Sequence, residues 1–227
     1  AWSAATAYNR GQVLYRVAEI MEGRSAQFAS DVMAAEGLDT EAAARQVEAA
    51  IDRWVWYAGW TDKLAQVLGS ANQVAGPYFN FSVPEPTGVV VAVAPQDSSL
   101  LGLVSVIAPI VATGSTVIVI ASTARPLPAI TLTEALATSD VPGGAINVLT
   151  GDPAEIMPWL ASHADVNALD LTGVTDADLA VTLEREAAGT VKRVRGPQAD
   201  HDWYATPSLS RLRSFVETKT VWHPMGT

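Results

Sequence analysis

The residues best suited to nucleophilic and metal chemistry are scarce in this chain. It contains no cysteine, which excludes a thiolate nucleophile, a thiolate metal site and any disulfide within these residues. His163, His201 and His223 lie far apart, and none stands in the HxxxH or HExxH spacing that sets two imidazoles on one helical face around a metal. No metal site is expected. Asp176 with Asp178, and Asp97 with Asp152, are the carboxylate pairs available for acid–base work or magnesium. Each also sits where an acidic protein caps a helix or turns in solvent, and that reading is preferred. Gly143-Gly144 follows Val141-Pro142 ahead of a β-prone run, the reverse of the strand-then-helix order that cradles a phosphate, so a turn is expected. Lys192, Arg193 and Arg195 form a small basic cluster, read as ordinary solvent-exposed charge with a partner contact as the alternative. Trp54, Trp56, Tyr57 and Trp60 stand in too little positive charge for a base-stacking platform and are assigned to a core or interface face.

The chain that must position these groups has 227 residues, enough to bury roughly 70 to 75% of its unfolded surface without a metal or disulfide staple. With 49% hydrophobic and 17% charged residues its composition is globular, which excludes disorder as the main state. A formal charge of −10 repels duplex nucleic acid and anionic membrane alike, so neither is an expected partner. The most apolar stretch, Gly88 to Ile120, is broken by Pro95-Gln96-Asp97-Ser98-Ser99, Pro109 and Gly114, and no unbroken transmembrane run occurs. No signal-peptide layout is visible, so the cytoplasm is the expected compartment. The opening at Ala1, without methionine and already inside a helical pattern, suggests residues upstream.

Helical spacing of Val13, Val17, Ile20 and Met21, then of Val47, Ile51, Val55 and Leu64, predicts N-terminal helices over residues 1–76. From Tyr78 to Val83 the period drops to two, predicting a strand that Pro84 and Pro86 end. Short β-branched runs then alternate with helical ones: strands at Val89–Val93, Thr116–Ile120, Ile146–Leu149, Asn167–Leu171 and Val191–Arg195, with a helix in each interval. Near-continuous Val and Ile imply burial on both faces. The expected fold class is therefore α/β, a doubly wound, Rossmann-like parallel sheet of about five strands over residues 88–196. Residues 197–214, rich in Asp, Ser, Pro and Thr, read as a linker, and Phe215–Trp222 as a strand in search of an edge.

The stretch Glu85-Pro86-Thr87-Gly88-Val89-Val90-Val91-Ala92-Val93-Ala94-Pro95 resembles the first cofactor-domain strand of the aldehyde dehydrogenase superfamily. Ile107-Ala108-Pro109, Ala112-Thr113-Gly114, Pro142-Gly143-Gly144-Ala145-Ile146-Asn147-Val148-Leu149-Thr150-Gly151 and Leu171-Thr172-Gly173-Val174-Thr175 are similar to later segments of that family. The resemblance covers nearly all of residues 1–196 and extends to the tail, 215–227, which looks like the family's oligomerisation strand. It implies a cofactor domain without the family's inserted catalytic domain, because Val191-Lys192-Arg193-Val194 is followed by Arg195-Gly196-Pro197 and not by the "ELGGK" motif that carries the general-base glutamate. Family catalysis attacks an aldehyde with a thiolate, and no thiol is present, so no catalytic residue is assigned.

Carried across position by position, the resemblance implies an eroded cofactor site at Pro95, Gln96, Asp97, Ser122, Gly173 and Val174. Asp97 stands where the family's asparagine amide serves a developing oxyanion, and an anion there opposes that charge. Ile120-Ala121-Ser122-Thr123 replaces a Lys-Pro-Ser-Glu that holds ribose, and Asp178 takes the place of a glycine at the diphosphate helix. NAD(P) binding is accordingly expected to be weak or lost. Tyr78, Phe79, Phe81 and Val83 (in the bridging segment 77–87), with Phe215, Val216, Val221 and Trp222, are the expected interface residues. The implied function is a non-catalytic subunit in a hetero-oligomer with a full-length aldehyde dehydrogenase homologue. The alternative is a nucleotide-binding subunit of an NAD(P)-dependent aldehyde oxidoreductase complex.

Overall fold

The computed structural model describes residues 2–198 and 201–226. Apolar residues at three- and four-residue spacing fold the first part into helices: α1 (Ala7–Gly23), α2 (Ser25–Glu36), α3 (Thr40–Ala58) and the short α4 (Leu64–Leu68). Thr6 and Asp39 cap α1 and α3 by accepting from the Asn9 and Ala42 amides. The break at Arg24 between α1 and α2 contains no proline and was not legible in the spacing. Leu14, Val17, Phe28, Trp54 and Tyr57 are buried in one core, and Trp56 and Trp60 lean on it half-exposed, as assigned.

The polar triplet β1 (Ser70–Asn72), which no β-propensity announced, pairs antiparallel with β2 (Tyr78–Pro86). β2 runs through both prolines expected to end it. The amide of Thr87, continuing the strand, donates to the Phe215 carbonyl at 3.2 Å, so odd-numbered positions face the tail. Pro84 and Pro86 therefore turn their missing N–H groups to the opposite side, where β1 reaches no further than Ser82 and no ladder bond is lost.

The alternating segment forms β3 (Val89–Val93), α5 (Leu101–Ala112), β4 (Thr116–Ile120), α6 (Leu127–Ala137), β5 (Ile146–Leu149), α7 (Pro153–Ser162), β6 (Ala168–Asp170), α8 (Ala177–Ala188) and β7 (Arg193–Arg195). Its five strands are parallel in the order β5-β4-β3-β6-β7. Val90 and Ala92 pack with Val117 and Val119 toward α5, α6 and the N-terminal helices, whereas Val91 and Val93 pack with Met157 of α7 and Leu183 of α8. Both faces of β3 are thus buried, which is why its sequence shows no polar alternation. Gly143-Gly144 forms the expected turn, closed by Ala145 N–H to Pro142 O at 3.0 Å. No helix among the described residues is long and apolar enough to cross a membrane.

The described part of the segment read as a linker is instead packed on the domain, its helix lying against α5. It carries α9 (Leu209–Ser214), with Arg211 and Leu212 buried, and Trp203 is buried beside it. The tail, β8 (Val216–Pro224), pairs antiparallel with β2 along all nine of its residues, from Tyr78 opposite Pro224 to Pro86 opposite Val216. The two strands expected to lack partners thus satisfy one edge of each other; among the described residues the outer edges of β8 and β1, and of β2 beyond Ser82, have no strand partner. Phe215 (1% exposed) and Val216 (9%) are buried within the chain and do not form the outward interface assigned to them. Tyr78, Phe79 and Trp222 remain exposed, and Phe81, Val83 and Val221 half-buried. Arg193 reaches from β7 to the Glu217 carboxylate at 2.7 Å, tying the two sheets together and holding that carboxyl below its ordinary range.

The last parallel strand starts two residues later than its composition suggests. Lys192 N–H bonds Ala187 O at 3.1 Å and Val191 N–H bonds Ala188 O at 3.2 Å, which is the Schellman pairing that ends a helix. Val191 occupies its left-handed position at φ 55°, where a β-branched side chain is strained, and is 91% exposed. Val191→Gly relieves that strain, less the glycine's extra unfolded-state entropy, and should raise stability by about 0.5 to 1 kcal/mol in urea unfolding.

Candidate functional site

In an open parallel sheet a ligand crevice forms where the strand order reverses, outside the carboxyl ends. Here that point lies between β3 and β6. The chain leaves β3 through Ala94-Pro95-Gln96 and leaves β6 through Leu171-Thr172-Gly173, and the two exits touch: Gly173 N–H donates to Val93 O at 3.0 Å. A Cβ at position 173 would stand 2.0 Å from the Ala94 carbonyl oxygen, so only glycine fits.

Two adjoining hollows open there. One, of about 270 Å³, is bounded by Gln96, Thr123, Asp152, Gly173, Val174 and Asp176; the other, of about 230 Å³, by Pro95, Gln96, Asp97, Gly173, His201 and Trp203. Five of the six cofactor-site residues read from the sequence therefore converge on the crevice. Ser122 does not line it, being buried below with its hydroxyl donated to the Gln96 carbonyl at 3.1 Å.

The polar groups around this crevice are largely bonded to the chain's own atoms. The Gln96 amide donates to Ala94 O at 2.8 Å and accepts from the Thr123 N–H at 2.9 Å. The Thr123 hydroxyl donates to Gly151 O at 3.1 Å. At the N-terminus of α8, where a helix offers free amides to an anion, the Asp176 carboxylate accepts from Asp178 N–H at 2.8 Å and Leu179 N–H at 3.2 Å. Asp178 adds a second exposed carboxylate in the first turn. Asp152 caps α7 in the same way through Ala154 N–H at 2.8 Å. Asp152 and Asp176 are caps, as the sequence suggested, and both line the hollow with negative charge. Among the described residues no group of His, Asp and Glu side chains is arranged to hold a metal ion. An incoming diphosphate would meet α8 amides already bonded to Asp176.

A second, smaller cavity was missed in the sequence. About 110 Å³ lies between α3, α5, α9 and the segment after β7, walled by Arg53, Tyr57, Ser105, Arg195, Trp203 and Arg211. Arg211 pairs with the fully buried Asp170 at 3.0 Å and donates to Gln198 at 2.6 Å, with its guanidinium 5.3 Å from the Trp203 ring. Arg53 donates to Trp203 O at 2.5 Å. Burial pushes the Arg53 and Arg195 guanidiniums below their ordinary pKa, and the Tyr57 hydroxyl above its own. Burial, with Arg211 and Arg195 adding to it, also depresses His201. The cluster read as solvent-exposed charge is thus divided: Lys192 is buried, Arg193 is ion-paired, and Arg195 faces this cavity. Its members come from distant segments, and no local spacing could have joined them.

Residues 1–195 match the aldehyde dehydrogenase family. Over 196 residues the chain is 30% identical to cytosolic 10-formyltetrahydrofolate dehydrogenase of Mus musculus, a match covering 85% of this chain and 22% of that protein. It is 29% identical over 175 residues to D-glyceraldehyde dehydrogenase (NADP(+)) of Thermoplasma acidophilum, covering 77% of this chain and 35% of the relative. A crystal structure of Staphylococcus aureus betaine aldehyde dehydrogenase in complex with NAD+ superposes with a TM-score of 0.78 at 25% identity, over 85% of this chain and 38% of that one. The chain thus spans well under half the length of the proteins it matches.

At the crevice, Asp176→Ala removes two capping bonds and should lower stability by about 1 kcal/mol in urea unfolding, since the α8 amides then rely on water.

Proposed function

The chain belongs to the aldehyde dehydrogenase family, and on that footing we propose that it is a non-catalytic subunit, a structural or regulatory partner of a full-length aldehyde dehydrogenase. The observation that carries this reading is the self-satisfied crevice at the switch point. Its helix N-terminus is closed by Asp176, its Gln96 amide is spent on Ala94 and Thr123, and its Ser122 hydroxyl on Gln96. No cysteine is available to attack an aldehyde carbon, and Asp97 is exposed at the place where developing negative charge needs a donor. On this reading the chain by itself has no dehydrogenase activity. NAD(P) binds weakly or not at all, because an incoming diphosphate must displace a carboxylate from its own amides.

A second reading, a nucleotide-binding subunit of an NAD(P)-dependent aldehyde oxidoreductase complex, is favoured by the open volume of about 270 Å³ at the strand ends. Calorimetry separates the two. Losing two or three charge-assisted bonds of about 1.5 to 3 kcal/mol each carries a micromolar site to the millimolar range or weaker. The expected outcome for NAD+ or NADP+ is a millimolar or weaker Kd, with no aldehyde-dependent reduction of either. A micromolar Kd would support the second reading, and thiol-independent turnover by the pure chain would refute the first.

The proposed partner follows from the tail. β8 offers its outer edge, a row of unpaired backbone donors and acceptors, beside the exposed rings of Tyr78, Phe79 and Trp222. A full-length family member supplies a strand for that edge. Co-expression with such a homologue should yield a complex that survives size exclusion, and deletion of residues 217–227 should release it. A tail-deleted chain that still co-elutes, or an intact chain that never does, tells against a partner at this edge.

A further inference from the structure

The cavity between α3, α5, α9 and the segment after β7 gathers more positive charge than its ion pairs neutralise. Among the described residues, Asp170 is the one carboxylate within ion-pair distance of its guanidiniums, and Arg211 takes it. Arg53, 8% exposed, donates to the carbonyls of Trp203 and Ala205; Arg195 donates to the Ser214 hydroxyl at 3.2 Å and the Gln198 amide oxygen at 3.1 Å. All of these acceptors are neutral. Asp52 and Asp202 act on Arg53 only through space. Arg53 is buried and Arg195 half-buried, and holding such cations from water without a counter-ion is costly.

Unused donors face the same space. Ser105, on the cavity side of α5 and 3% exposed, has a hydroxyl with no hydrogen-bond partner among the described residues, and so has Arg195 Nε. A buried serine in a helix ordinarily returns its hydroxyl to the carbonyl one turn back, so an orphan here calls for an acceptor from outside the chain. About 110 Å³ is room for a few waters or for one tetrahedral oxyanion.

We propose that this cavity binds a phosphate dianion, as inorganic phosphate or as the phosphate end of a small monoester. Two negative charges match the two guanidiniums that have no ion pair among the described residues, whereas a carboxylate brings one and an aldehyde none. Tetrahedral oxygens accept from several directions at once, which suits Arg53 and Tyr57 of α3, Ser105 of α5 and Arg195 of β7, converging from three elements. This site adjoins the second hollow of the crevice, with which it shares Gln198, His201 and Trp203, and does not rest on the subunit reading above.

Calorimetry of the full chain at fixed ionic strength, with sodium phosphate, glycerol 3-phosphate and sodium acetate titrated separately, tests the proposal. Saturable binding of at least one of the two phosphates is expected, with none for acetate, and the tighter of the two identifies the source. Arg195→Gln should weaken that binding at least tenfold, and Ser105→Ala by about three- to tenfold. Ser105→Ala leaves every guanidinium and its protein contacts in place, so it stays informative if Arg195→Gln fails to fold by circular dichroism. No saturable heat with either phosphate, or unchanged affinity in the folded variants, overturns the proposal.

Discussion

One buried ion pair governs how the second half of this chain is arranged. Asp170 ends β6, at the inner edge of the strand reversal, and none of its surface reaches solvent. A carboxylate there costs several kcal/mol unless it is bonded and paired. Its own neighbour supplies part of the answer, since the Thr172 N–H donates at 3.0 Å and the Thr172 hydroxyl bonds the same oxygen. The charge itself is met by Arg211, which lies beyond the end of the parallel sheet in sequence. For Arg211 to arrive, the segment after β7 must fold back over the carboxyl ends of the strands. That path buries Trp203, lets Arg53 of α3 grasp its carbonyl, and lays α9 against α5. It also delivers Phe215 into the core, and with it the start of β8 beside the end of β2.

This dependence explains which parts of the fold could be read from the amino-acid order. The parallel strands were legible because each is a Val- and Ile-rich run between turn residues, and burial on both faces leaves no alternation to mislead. Val91 and Val93 on one face, Val90 and Ala92 on the other, need only local information. The return of the chain was not legible, because the force behind it joins residues 41 positions apart. A segment of Asp, Ser, Pro and Thr resembles a solvated linker unless one knows that a single arginine within it has a buried carboxylate to meet. Pro84 and Pro86 misled for a related reason. A proline ends a strand only if its missing N–H was needed, and which side needs it depends on where the tail pairs.

The candidate sites divide along the same line. The crevice residues could be placed from sequence because they follow the ends of successive strands, and the fold brings strand ends together whatever their identity. The arginine cavity is assembled from α3, α5, α9 and the segment after β7, so its composition becomes visible only once Arg211 has drawn that segment in.

The two hollows also treat their polar groups in opposite ways, and this bears on what each can bind. At the strand ends the chain satisfies its own donors, so Asp176 stabilises α8 in the absence of any ligand. A diphosphate at those amides forfeits that capping energy and meets two like charges, so stability and nucleotide affinity are opposed at this helix. In the arginine cavity the alignment runs the other way. Guanidiniums at Arg53 and Arg195 without an ion pair, and the buried Ser105 hydroxyl without a partner, among the described residues, weaken the free fold, and on the proposal above an anion that meets them gains affinity while relieving that cost. The two hollows thus differ in kind: one spends its donors on the chain itself, and the other keeps donors that the described residues leave unmet.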